Sequence, residues 1–113
     1  MKKAVWITYD FGIQGDFPSL YTWLDDHNAV ECGYNTAHLS WDDNGNGDIA
    51  NQIKDDLNAN IEFNEKKDRI YVVFRKDDTD KNNISGRFIV GKRKANPWTG
   101  HGVNHINAED DEC

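Results

Sequence analysis

Asp10 stands where the apolar run AVWITY, residues 4–9, gives way to the loop DFGIQGD, residues 10–16. A carboxylate at the end of an apolar strand is placed to hold a divalent cation, Mg2+ or Mn2+, or to poise a water for attack. Asp16 could join it across the loop, which makes Asp10 the candidate catalytic group and Asp10 with Asp16 the candidate metal ligands. Both residues also suit structural work: Asp10 can close a turn and Asp16 can cap a following helix.

A second acidic stretch, WDDNGNGDIANQI at 41–53, puts Asp42, Asn44, Asn46, Gly47, Asp48 and Ile49 at the spacing of a calcium loop. Calcium takes roughly 6–8 oxygen ligands, and such a loop ends on a bidentate Glu. Ile53 stands at that last position, so the stretch reads as a turn whose Asp48 caps a helix. His101 and His105 in HGVNH have the spacing of two zinc ligands on a helix, with Cys113 as a distant third donor. Gly100 and Gly102 oppose helix formation there. His27 and His38 stand alone in the sequence. Cys32 and Cys113 outline no disulfide framework, which fits a reducing cytoplasm.

The net charge of −7 is unevenly distributed. Residues 1–65 carry 3 basic and 12 acidic side chains, whereas residues 66–94 carry 10 basic and 4 acidic. Within the basic segment Arg87, Lys92, Arg93 and Lys94, with Lys66, Lys67, Arg69, Arg75 and Lys76, and with Phe88 and Trp98 nearby, combine cations for phosphates with rings for bases. A solvated strand edge defended by lysines would look the same. The acidic half offers the converse: Asp25, Asp26, Asp42, Asp43, Asp55 and Asp56 could engage a basic protein, as an inhibitor or DNA mimic would. No Gly-x-Ser-x-Gly, phosphate-binding glycine loop or Cys-x-x-Cys occurs. The apolar run after the N-terminal lysines is too short for a signal peptide, and nothing approaches the ~20 apolar residues of a membrane span.

The elements that must carry these residues follow from periodicity. AVWITY (4–9) and RIYVVF (69–74) read as strands that are apolar on both sides. Phe17, Leu20, Tyr21 and Leu24 fall at helical spacing behind Asp16 and Pro18, and Ile49, Ile53 and Leu57 define a second helix near 48–59. Residues 29–41 are extended and interrupted by Gly33 and Asn35, and 84–93 form a late strand containing Gly86 and Gly91. The β-α-β(β)-α-β-β order predicts an α+β, ferredoxin-like sandwich: two helices on one face of a four- or five-stranded, mainly antiparallel sheet. Residues 1–94 make that domain, and 95–113 an irregular, finally acidic tail.

From residue 4 to about 75 this layout resembles the small CRISPR-associated, endoribonuclease-like family of ferredoxin-fold proteins, with relatives in toxin–antitoxin systems. ITYDF with its terminal aspartate, the helix SLYTWLDDHN, the extended VECGYNTAHLSW, the helix IANQIKDDL and the late strand DRIYVVF carry the resemblance. It implies a homodimer and metal-dependent phosphodiester cleavage at Asp10. Gly33, Asn35 and Ala37 stand where the family has a basic, phenylalanine-bearing second strand. The expectation is a cytoplasmic macromolecule-binding protein, nuclease-like or part of a defence system, whose ligand is nucleic acid. The alternative is a non-enzymatic acidic protein that binds a basic partner.

Overall fold

The computed structural model describes residues 2–45, 47–75 and 83–102. Among them the chain forms β1 (Lys2–Asp10), α1 (Phe17–Asp26), β2 (Val30–Glu31), β3 (Thr36–Asp42), α2 (Ile49–Asn60), β4 (Arg69–Arg75) and β5 (Ile84–Val90). The strands make one sheet in the order β2-β3-β1-β4-β5, each neighbouring pair antiparallel. This is the ferredoxin-like sandwich, with β5 added as a hairpin partner of β4. The first strand in sequence is the middle strand in space, so Asp10 ends the most enclosed strand of the sheet.

Each helix starts where a side chain can take its free amides. Asp16 accepts from Ser19 N at 3.1 Å ahead of α1, and Asp48 accepts from Asn51 N at 2.8 Å ahead of α2. Asn28, at φ 56°, ends the first helix in the left-handed turn that asparagine tolerates. Leu20, Trp23 and Leu24 of α1 and Ile49, Ile53 and Leu57 of α2 face inward. They meet Val5, Ile7 and Tyr9 of β1, Leu39 and Trp41 of β3, and Ile70, Val72 and Phe74 of β4. A fully buried aliphatic side chain of this kind contributes about 1.5–3 kcal/mol, which fixes the strand registers because a one-residue slip would turn each such set outward.

That alternation leaves the other sheet face uncovered by any helix among the described residues. Yet β1 and β4 are apolar there too. Trp6 is 44% exposed, and Tyr71 and Val73 are only half-buried. Beyond β5 the chain runs without regular structure through residues 91–102, apart from a turn in which Thr99 N donates to Asn96 O. His105, Cys113 and the acidic end of the tail lie outside the described residues.

Candidate nucleic-acid interface

Cross-strand register assembles the open face. Trp6 of β1 is opposite His38 of β3 and Val73 of β4, and Val73 is opposite Gly86 of β5. The Trp6 and His38 rings lie 4.8 Å apart. One pair further along, Thr8 faces Tyr71, and Tyr71 faces Phe88 with ring centroids 4.8 Å apart, edge to face. Gly86 is required beside them. A Cβ there would sit 2.7 Å from Tyr71 Cζ, so only glycine lets the phenol lie along the sheet.

Arginines rim this aromatic strip. The Arg93 guanidinium lies over both Phe88 and Tyr71, at 5.3 and 5.6 Å from the ring centroids, and Arg69 lies 5.7 Å from Phe88. Arg69 Nη2 donates to Asp10 Oδ2 at 2.6 Å. Thr8, Asp10, Arg69, Tyr71, Phe88 and Arg93 line a shallow hollow of about 340 Å³. It offers flat π faces, two guanidinium groups, one carboxylate and two hydroxyls, the set that holds a base by stacking, its edge by hydrogen bonds and its phosphate by charge.

The residues singled out in the sequence fall in different places. Arg93 belongs to the strip. Arg87 projects to the helix face, where Nη1 meets Asp48 Oδ2 at 3.0 Å and the guanidinium lies over Phe74. Lys94 leaves the strip for the neighbouring cleft, while Lys92 and Trp98 are exposed beyond the end of β5. Strand alternation puts Arg87, opposite Val72, and Phe88, opposite Tyr71, on different faces, and the register irregularity between Ile70 and Tyr71 lies between Phe88 and Arg93.

Asp10 and Asp16 are not joined as a metal centre. Arg69 supplies the positive charge beside Asp10, Asp16 is used as the α1 cap, and no group of three or more His, Cys, Asp or Glu side chains gathers among the described residues. Asp10 and Asp16 thus each have a protein partner, an ion pair for one and a helix N-terminus for the other. In the 42–48 stretch, of which Asn46 lies outside the described residues, Gln52 does the organising. Its Oε1 accepts from Trp41 Nε1 at 2.8 Å and Asn44 N at 3.2 Å, and its Nε2 donates to Asp43 Oδ1 and Gly47 O. Gln52 and the Gly45 amide hold the Asp43 carboxyl below its ordinary range.

Comparison with protein-family models, with curated proteins and with solved structures finds no match to this chain. Trp6, His38 and Tyr71 are the members of the strip that sequence reasoning missed; Arg69 and Phe88 were in the basic segment it singled out. The available signal was a contradiction: a sheet with helices on one side only, built from strands that are apolar on both. No helix among the described residues is long and apolar enough to cross a membrane.

Proposed function

We propose that this protein binds single-stranded nucleic acid on the helix-free face of its sheet. The observation that carries the reading is the Arg93 guanidinium lying over the Tyr71 and Phe88 rings, in the same hollow as Arg69 and Asp10 and on the same face as Trp6 and His38. Exposed rings on adjacent strands give a strand of nucleic acid successive places to stack, at about 1–3 kcal/mol per base. Duplexes keep their bases stacked inside and gain little from such a surface. Asp10 repels phosphate and so belongs at a base edge, where it accepts from an amino or imino group. Arg69 orients it.

The test is fluorescence titration with single-stranded oligo-dT and oligo-rU of about eight nucleotides, and with a duplex of equal length. Single strands are expected to quench tryptophan emission and to bind more tightly than the duplex. Trp6→Ala and Tyr71→Ala should each weaken them by about 5- to 150-fold. Equal affinity for the duplex, or full affinity in both variants, would refute the proposal.

The helix layer favours a second reading. Asp25 and Asp26 of α1 and Asp55 and Asp56 of α2 face outward or half outward, against Lys54 alone as a basic residue of those helices. A basic protein would dock there. Asp25→Asn/Asp55→Asn should then abolish its salt-sensitive capture while leaving oligonucleotide binding intact.

A further inference from the structure

A concavity of about 610 Å³ opens beside the aromatic strip and shares Asp10 with it. Its walls are the loop after β1 and the turn before β4. Asp68, only 2% exposed, ties them together: Oδ1 accepts from Gly12 N and Oδ2 from Asn64 N, each at 2.9 Å. The walls approach closely, since a Cβ on Gly12 would come within 2.8 Å of Lys67 Cβ. Around this buried tie stand Lys66, Lys67 and Lys94, all exposed. None of the three has a carboxylate partner among the described residues, whereas Asp10 is matched by Arg69 and Asp68 by two backbone amides. Ile13, fully exposed, stands at the rim.

We infer that this cleft is the exit track for the phosphodiester backbone of the same single strand, with Lys66, Lys67 and Lys94 neutralising phosphates that have left the sheet. The inference rests on the sheet-face reading above and extends it. Lys94 follows Arg93 directly, so the guanidinium over the rings and the first ammonium of the cleft are adjacent in the chain. Asp10 sits at the junction, where it favours a base edge over a phosphate and turns the backbone toward the lysines.

Each phosphate neutralised on a single strand releases about 0.7 of a counterion, so three lysines steepen the log affinity against log salt slope by about 2. Between about 50 and 200 mM salt, the wild-type protein should therefore lose about twentyfold more affinity for an octanucleotide than Lys66→Gln/Lys67→Gln/Lys94→Gln. A trinucleotide that covers the sheet alone should bind both proteins equally. Lys54→Gln, on α2, should leave the slope unchanged. An unchanged slope in the triple variant, with tryptophan quenching retained, overturns the track and leaves the sheet reading standing. Equal weakening of the trinucleotide and the octanucleotide overturns it too, because the lysines would then act only through a general field. A wild-type protein that binds neither oligonucleotide overturns the sheet reading itself, and the track with it.

Discussion

Gly86→Ala tests the aromatic strip without removing any ring. The new Cβ would lie 2.7 Å from Tyr71 Cζ and 2.9 Å from its Cε2. Tyr71 is half-buried at the surface, so its ring can swing away while the β4–β5 ladder stays closed. The swing forfeits the edge-to-face contact with Phe88, about 0.5–1.5 kcal/mol, and the Arg93 contact with Tyr71, about 0.5–1 kcal/mol. Restricting the unfolded backbone returns about 0.4–1 kcal/mol. The balance is a loss of about 1 kcal/mol, or roughly 4 °C in Tm for a domain of this size. In a Tyr71→Ala background nothing meets the new methyl group, and the same change should stabilise by about 0.5 kcal/mol. Urea denaturation of the four proteins should thus give a coupling near 1.5 kcal/mol between positions 71 and 86. A coupling below about 0.3 kcal/mol would mean that the phenol does not rest on Gly86, and the argument for a preformed stacking surface would fail.

Asp68→Asn leaves one acceptor for two buried amides, so it should cost about 1–3 kcal/mol and speed hydrogen exchange at Gly12 and Asn64; unaltered exchange at both would disprove the tie. Gln52→Leu deprives Trp41 Nε1 and the Asn44 amide of their acceptor. A loss of about 1–3 kcal/mol in urea denaturation, with altered near-ultraviolet circular dichroism, is expected; wild-type stability would show that the turn holds without it. Burial, then the charge and hydrogen bond of Tyr21, raise the Tyr9 phenol above its ordinary 10.0. The unfolded chain therefore ionises first: stability is complete below pH 10.0 and falls as pH rises toward the folded value. Tyr9→Phe should flatten that alkaline fall, and an equal fall in both proteins would count against it.

The fold was legible because its main signals are local. Asp16 and Asp48 announce the two helices within one turn, and the apolar spacings behind them decide which sides are buried. The strip was not legible as a whole, because the pairs that β1 makes in it join segments far apart in the chain. Trp6 meets Val73 and His38 only through the β1 registers, whereas Tyr71 meets Phe88 through the β4–β5 hairpin. Alternation along β5 puts Arg87 on the helix face against Asp48, and the irregularity between Ile70 and Tyr71 intervenes before Arg93, which lies over the rings. Gln52 and Asp68 were hidden for another reason. One is a polar residue beside the apolar stripe of α2, the other the last residue of a charged turn, and burial alone distinguishes them from their solvated neighbours.

On the proposed reading, how an acidic chain would take a polyanion follows from where its charges lie. On the open face Lys2, Arg69, Arg75 and Arg93 stand against Asp10 and Asp42, and the cleft adds Lys66, Lys67 and Lys94. The carboxylates of α1 and α2 lie behind the sheet, across a layer spacing of about 10 Å. The Debye length at physiological ionic strength is about 8 Å, so their repulsion is largely screened before it reaches a strand on the other face. What remains is contact chemistry: stacking on the rings, and local cations at the phosphates. Such a surface draws ligand with little long-range steering, so its association rate should be that of an unsteered pair and its affinity should depend on the rings. Discrimination against duplexes comes from the rings: a duplex keeps its bases stacked inside and presents no free base face, so it gains the local cations without the stacking.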